Sequence, residues 1–328
     1  MHRIILPVLL VFAIITAVSV QEADAAPTCG VGFEFILNNE LYVGDTTGFL
    51  NKVDVNDGKS CVVGPFQVGG IGPNLSCTDV ALDPTKMSIY GTPELYCVTF
   101  TDLFIVDQQT GSLTFVGNLL NGIVFVTDVN ALEIDSAGVA YAAAFNGNLY
   151  RVNLGTGAVL ILNNLGIPSS GDLAWDPLTG KMFWTSSHCG LKLGDSTALA
   201  LPCGAGTDGL WLIDLFAAPP TASFIIDTGF PNVFAADFAG AAGNICFVND
   251  LGTLFELKTD GSFVKSMLTD PLVLAFGGTA NTLLVGGIEV ILDSVALIIS
   301  GIQSSVIWMS PLVLAGVGFA AFKLPSKN

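Results

Sequence analysis

The feature that most constrains this chain is a pattern that recurs five times between residues 30 and 277. Each copy contains a short apolar strand, a tight turn, a second strand that mostly ends in Asp or Asn, and a turn containing Gly that leads into a third strand. The strand-ending positions are 43 to 61 residues apart, at Asp54, Asp107, Asn153, Asp214 and Leu257. Such spacing indicates one supersecondary unit repeated along the chain.

Each repeat is also preceded by a leading strand, as at residues 79–84, 131–135, 172–177 and 237–239. Four short strands in a unit of this length are typical of one blade of a β-propeller. The Asp-Gly and Thr-Gly turns suit the tight hairpins that join antiparallel strands. No helical period of comparable length occurs between the two ends of the chain. The sequence therefore predicts an all-β protein with a propeller fold.

The number of blades depends on how the ring closes. Residues 273–276 match the leading-strand pattern of residues 172–175, and they could pair beside Tyr42 to close a ring of five blades, which also hides the sheet edges. The alternative is that the alternating Phe33, Phe35 and Leu37 form the first leading strand. A sixth, incomplete blade would then begin at residue 273. We favour five blades over six.

These repeats resemble extracellular β-propeller proteins of the broad WD40, YVTN and quinoprotein-like group. The resemblance covers about 245 residues and concerns the strand and turn pattern. The chain lacks the Trp-Asp signatures of WD40 blades and shows no docking motif for a quinone cofactor. The resemblance therefore implies an architecture and leaves the subfamily open.

The two ends of the chain predict where the protein is located in the cell. Residues 1–25 have the basic start, apolar run and small-residue cleavage site of a signal peptide. Residues 302–322 are uncharged and long enough to span a membrane as a helix, and Lys323 and Lys327 favour a cytoplasmic tail at residues 323–328. The prediction is an ectodomain at residues 26–281, an apolar juxtamembrane segment at 282–301 and one C-terminal membrane span, with the ectodomain outside the cell surface.

A second resemblance concerns this C-terminal region. Residues 286–287, 293–297, 301–303 and 308–311 read GG, DSVAL, GIQ and WMSP in order. This order is similar to a tail on secreted proteins of ammonia-oxidising archaea, where it reads as a surface-anchoring or sorting element. Val295 departs from the pattern, which has a residue of the Thr or Ser kind there. The resemblance implies a location only.

The net charge and the acids of the leading strands indicate which partners and cofactors the protein can bind. The net charge of −17 excludes nucleic acid as a partner, because phosphate recognition needs Lys and Arg. Asp79, Asp172 and Asp237 begin three leading strands in what reads as one register, so they are expected to converge at the channel. Such carboxylates could bind Ca²⁺ or Mg²⁺ as the one candidate cofactor. Alternatively, each Asp caps backbone amides at a blade junction.

Seven cysteines indicate an oxidising compartment. We expect a Cys189–Cys203 disulfide across the insertion in the fourth repeat and a Cys61–Cys77 disulfide between the first two repeats. Cys97 and Cys246 lie in apolar strands and are expected to be buried thiols, which leaves Cys29 without an assigned partner. Asn74 begins the one glycosylation sequon, in a loop.

Two functional hypotheses follow. The leading one is a non-enzymatic binding, envelope or interaction module anchored at the cell surface, whose protein or carbohydrate ligand stays open. The alternative is an extracytoplasmic enzyme that uses the propeller channel, such as a lyase, a hydrolase or a quinoprotein-like enzyme. An enzyme should bring several perturbed titratable groups into one pocket, whereas an interaction module should expose an apolar patch on one face.

Overall fold

The computed structural model describes residues 28–29, 39–187, 206–239 and 244–280, which fold into five four-stranded antiparallel sheets. Blade 1 begins with β1 (Glu40–Asp45), β2 (Phe49–Asp54) and β3 (Ser60–Pro65). Blade 2 contains β4 (Asp79–Met87), β5 (Pro93–Val98), β6 (Asp102–Val106) and β7 (Leu113–Asn118), and a small hairpin of β8 (Leu120–Asn121) and β9 (Val124–Phe125) follows it.

The remaining blades repeat the same order. Blade 3 contains β10 (Val129–Ile134), β11 (Ala140–Ala144), β12 (Asn148–Val152) and β13 (Val159–Asn164). Blade 4 contains β14 (Ser169–Asp176), β15 (Lys181–Ser186), β16 (Gly209–Asp214) and β17 (Thr221–Asp227). Blade 5 contains β18 (Val233–Phe238), β19 (Asn244–Asn249), β20 (Thr253–Lys258) and β21 (Phe263–Leu268), and the last strand is β22 (Ala275–Ala280).

The ring closes with strands from both ends of the described chain. The innermost strand of blade 1 is β22, which pairs antiparallel with β1 and places Thr279 opposite Tyr42. This confirms the five-bladed propeller. The closing register is four residues later than the sequence match suggested, because Gly277, rather than Val273, occupies the position that Asp79 holds in blade 2. Only glycine fits there, since a Cβ on Gly277 would lie 2.3 Å from the Cα of Asp79.

The hydrophobic core is divided among the junctions between blades. Each of five apolar clusters lies between two neighbouring sheets, and alternate residues along each strand supply it. The cluster between blades 3 and 4, for example, buries Trp184 and Leu173 against Ala143. A ring of sheets thus buries both faces of every blade, which explains the unusually apolar composition.

Two disulfides correct the predicted pairing. Cys61 pairs with Cys29 rather than with Cys77, and Cys77 pairs with Cys97, which the sequence suggested to be a thiol. The first bond fastens the segment at residue 29 to the outer edge of blade 1, where the amide of Cys29 donates to Val62. The second joins Cys77, two residues before β4, to Cys97 in the neighbouring strand β5. Cys246 is a buried thiol, as expected.

Several predictions fall on residues outside the described ranges. These are the signal peptide at residues 1–25, the segments at 282–301, 302–322 and 323–328, the tail resemblance, and the Cys189–Cys203 disulfide. Within the described ranges, no helix has the length and apolar character needed to cross a membrane.

Candidate functional site

The predicted acids meet on the propeller axis, together with one that the sequence did not single out. Asp79, Asp172, Asp237 and Glu133 lie on the innermost strands of blades 2, 4, 5 and 3 and are at most 6% exposed. We call these four residues the axial cluster. Its electrostatics are shared, because the charge on Asp172 interacts with those on the other three.

The axial cluster has two layers instead of the single register that the sequence predicted. Pairing with the second strands places Asp79 opposite Val98, and the equivalent position in blade 5 is Ala235, opposite Val248. Asp237 therefore lies two residues beyond the position in β18 that is equivalent to Asp79 in β4. It shares its layer with Glu133, since these two acids face Cys246 and Tyr141 at equivalent positions of β19 and β11. The offset is hidden in the sequence because residues 172–174 (Asp-Leu-Ala) and 237–239 (Asp-Phe-Ala) look alike.

Each acid joins its own blade to the next one. Asp79 accepts the amide of Val80 at 2.7 Å and that of Leu132 in blade 3 at 2.6 Å. Asp172 accepts the amide of Ala236 in blade 5. These contacts exist because an innermost strand has one edge without a neighbouring strand, and its amides need other acceptors.

The other two acids complete the pattern. Glu133 accepts the amide of Ile134 at 2.7 Å and that of Trp175 in blade 4. Asp237 accepts the amide of Phe238 at 2.7 Å and, on the closing strand, the amide of Ala280 at 2.7 Å. Asp79 also accepts the amide of Gly278 on β22, so all five blade junctions are bridged by a carboxyl group on the axis.

Burial dominates the ionisation of these groups. It raises the pKa of Asp79, Glu133 and Asp172 well above the ordinary range, and that of Asp237 to about 7. Hydrogen bonds from backbone amides act in the opposite direction, because they stabilise the ionised form. The geometry agrees with the alternative in which the acids cap amides at blade junctions.

The Ca²⁺ or Mg²⁺ site predicted at Asp79, Asp172 and Asp237 stays a prediction. In the part of the chain that the structure describes, no three His, Cys, Asp or Glu residues are arranged to hold a metal ion. Most carboxyl oxygens of the cluster are already engaged with amides. Asp79 and Asp172 are fully buried.

A different site, missed from the sequence, lies at one mouth of the channel. Phe276 on the closing strand contacts Phe100 of blade 2 and Phe234 of blade 5, with edge-to-face rings whose centroids are 6.3 and 5.7 Å away. We call these three side chains the aromatic cluster. It connects blades 1, 2 and 5, and about half of the Phe100 side chain is exposed.

The backbone explains why these rings gather at the mouth. Phe234 is the extra residue of a β-bulge, since Val233 pairs with Asn249 while Ala235 pairs with the adjacent Val248. Phe276 is the extra residue of an equivalent bulge in β22. A bulge redirects a side chain out of the regular alternation of the strand. Strand patterns assume that alternation, so no pattern in the sequence indicated this cluster.

The aromatic cluster belongs to a wider apolar face. We call it the mouth face, and it consists of the described residues in the loops between the second and third strands of the blades and in the connections from one blade to the next. Its exposed apolar side chains are Val68, Ile71, Phe100, Ile123, Val124, Phe125, Phe145, Leu251, Leu272 and Leu274. Ile123 at the tip of the β8–β9 hairpin is 95% exposed.

The mouth face carries acidic residues but no Lys or Arg in its described loops. All seven Lys and Arg residues in the described ranges lie in strands or at the opposite face: Lys52, Lys59, Lys86, Arg151, Lys181, Lys258 and Lys265. Acids do occur in the mouth-face loops, as at Asp128 and Asp250. Asp128 also holds a positive φ of 66°, immediately before β10, and such strain in a non-glycine residue is often found at functional sites.

Asn74, the predicted glycosylation site, is exposed in the connection between blades 1 and 2. Its side-chain oxygen accepts a hydrogen bond from Gln67 at 3.0 Å. Glycosylation there stays a prediction.

Comparisons with known proteins add little. No protein-family model matches the chain, and no curated protein matches it in sequence. A solved structure described as a nidogen/laminin complex is similar with a TM-score of 0.43 and 9% identity, over 74% of this chain and 98% of that one. The assignment of the fold rests on the sheet topology of this chain itself.

Proposed function

We propose that this protein is a non-enzymatic binding module that engages another protein through its mouth face. The observation that carries the proposal is the aromatic cluster, in which Phe100, Phe234 and Phe276 from three blades meet at the channel mouth. Apolar side chains that are exposed together on one face are typical of interaction surfaces. Aromatic residues are also enriched where interfaces bind most tightly.

The charge pattern favours a particular kind of partner. A face with acids and without Lys or Arg in its described loops complements a partner surface that is apolar and basic. It repels phosphate groups, so a nucleic acid or an anionic lipid surface is a poor partner. The partner class we propose is therefore a protein with a basic rim around apolar side chains.

The direction of the closing strand supports a role in display. β22 begins at the mouth face, where its second residue is Phe276. It runs down the axis to Ala280, whose amide donates to Asp237. The chain therefore points away from the mouth face at Ala280. Residues 302–322 are predicted to anchor the protein in a membrane, and we propose that the mouth face is displayed to partners outside the cell.

Site-specific photo-crosslinking tests this proposal. A photoreactive phenylalanine analogue is placed at position 100 or 145 on the mouth face, or at position 216 on the opposite face, where Phe216 is 89% exposed and serves as the matched control. The chain is then irradiated on intact cells. We expect a discrete protein adduct from positions 100 and 145, and adducts only from position 216 would contradict the proposal.

The location is tested separately. External protease should remove the ectodomain from intact cells, because the signal peptide and the C-terminal span predict that it lies outside. If only a short C-terminal piece is trimmed, the orientation is reversed, and this result would leave the assignment of the mouth face as the binding surface unaffected.

A further inference from the structure

The axial cluster contains two oxygen atoms that lack a partner. Among the described residues, no donor reaches Oδ1 of Asp172 or Oε2 of Glu133, although both side chains are buried. In contrast, both oxygens of Asp79 and both of Asp237 accept hydrogen bonds. An unpaired buried carboxylate oxygen is costly, so something must satisfy these two atoms.

A divalent metal ion does not fit this requirement. Ca²⁺ takes six to eight oxygen ligands and Mg²⁺ takes six, whereas the cluster offers two unengaged oxygens. A proton does fit, because a protonated carboxyl group becomes an O–H donor and can bond a neighbouring carboxylate. The ionised form of Asp172 is stabilised by one backbone amide, that of Ala236. The ionised form of Asp79 is stabilised by three, those of Val80, Leu132 and Gly278.

We propose that the axial cluster is a proton-binding site in which Asp172 and Glu133 are neutral acids that donate O–H bonds to the ionised Asp79 and Asp237. The protonated atoms are the two that lack a partner, Oδ1 of Asp172 and Oε2 of Glu133. Two negative charges on the axis are then retained, on Asp79 and Asp237. These two acids accept five backbone amides, those of Val80, Leu132, Gly278, Phe238 and Ala280.

The surroundings contain little else that could compensate the charge. The other ionisable groups on the innermost strands, directly after one of them, or opposite them on the second strands are Asp83, Lys86, Asp135, Asp176, Tyr42, Asp45, Glu94, Tyr96, Tyr141, Lys181 and Cys246. The set has two cations, Lys86 and Lys181, and both lie at the far ends of their strands. The Lys86 ammonium is 3.6 Å from Asp83, and Lys181 lies opposite Asp176 at the end of β14. Loss of the two protons would therefore leave four negative charges together in a buried space, and the ring would loosen.

Two of the four acids are neutral and two are ionised in this arrangement, and substitutions can test this difference. Asp172→Asn and Glu133→Gln keep the acceptor oxygen and put an NH₂ donor where the O–H is proposed. Asp79→Asn puts an NH₂ group against a backbone amide that needs an acceptor. At pH 8, we expect D172N and E133Q in the full-length chain to melt at or above the wild-type Tm, and D79N to melt about 5 °C or more below it.

Infrared spectroscopy gives a second readout that does not depend on stability. At pH 7 the folded wild-type chain should show the C=O stretch of protonated carboxyl groups. D172N and E133Q should each weaken this band, and Asp260→Asn should leave it unchanged, because hydrogen bonds from Ser262 lower the pKa of Asp260.

Three results would overturn the proposal. These are the absence of the band in the wild type, a loss of Tm in D172N and E133Q equal to that in D79N, and a fall in the wild-type Tm on adding EDTA. The last result would indicate a bound metal ion in place of the protons.

Discussion

Asp237 on β18 of blade 5 holds Ala280 on the closing strand, with its carboxylate 2.7 Å from the amide of Ala280. The same oxygen accepts the hydroxyl of Thr279 at 3.0 Å. One buried carboxylate thus connects the last described strand of the chain to the blade before it. The seam of the ring is therefore secured by polar contacts in addition to the pairing of β22 with β1.

Removing this carboxylate should weaken the seam selectively. We expect Asp237→Ala to lower the free energy of unfolding by about 3 kcal/mol, because several buried amide and hydroxyl donors lose their acceptor. Thr279→Val, which removes one hydroxyl contact, should cost about 1 kcal/mol. Denaturant unfolding measures both changes, and hydrogen exchange should show the amide of Ala280 losing protection before those of β10. Equal protection of both strands in Asp237→Ala would contradict this role.

Stability should decrease as the pH rises through neutrality. Burial raises the pKa of Asp208, a buried acid beside β18, to about 7 and the pKa values of Asp172 and Glu133 well above the ordinary range, whereas an unfolded Asp ionises at about pH 3.9. Between these values the folded state binds more protons than the unfolded state, so the free energy of unfolding falls with increasing pH. We expect the Tm to be several degrees higher at pH 5 than at pH 8. A Tm that rises over this range would refute the expectation.

Asp208 offers a matched control for that measurement. Its Oδ2 accepts the amide of Val233 at 2.7 Å, away from the axial cluster. Asp208→Asn should remove its own share of the pH dependence and leave the share of the axial cluster. A pH profile of the Tm for this variant and for D172N separates the two contributions.

Blade packing should be sensitive to one glycine on an outer strand. A Cβ on Gly117 of β7 would lie 2.2 Å from the carbonyl oxygen of Thr156, in the turn of the next blade. Gly117→Ala should therefore destabilise the fold by about 3 kcal/mol, because the two blades must separate. Gly155→Ala is the control, since its Cβ would meet only the Asn153 side chain, at 3.4 Å. Similar thermal denaturation of both variants would argue against close packing at this junction.

Peptide mapping under non-reducing conditions distinguishes the disulfide pairings. We expect Cys29 linked to Cys61 and Cys77 linked to Cys97, as in the structure. A Cys61–Cys77 peptide would contradict it. The same experiment tests the Cys189–Cys203 bond, which stays a prediction from the sequence and would contribute about 3 kcal/mol in the loop-entropy model.

The repeat pattern alone determined the architecture. Strand alternation and turn residues are local properties, so five units of four strands could be counted from the sequence, and the need to hide sheet edges predicted closure near Tyr42. The presence of acids on the axis could also be inferred, because equivalent positions in a ring converge. Asp79 and Asp172 confirm this, since they do share one register.

Tertiary structure decided everything that depends on exact register or on contacts between blades. Asp237 belongs to the second layer, with Glu133, because strand pairing rather than motif similarity fixes its depth. Cys61 pairs with Cys29 because a segment distant in sequence lies along the outer edge of blade 1. The aromatic cluster exists only because bulges redirect Phe234 and Phe276, and a bulge breaks the alternation from which a sequence is read. Local sequence specifies which face of a strand is apolar, but the relative placement of two strands depends on the packing of the whole ring.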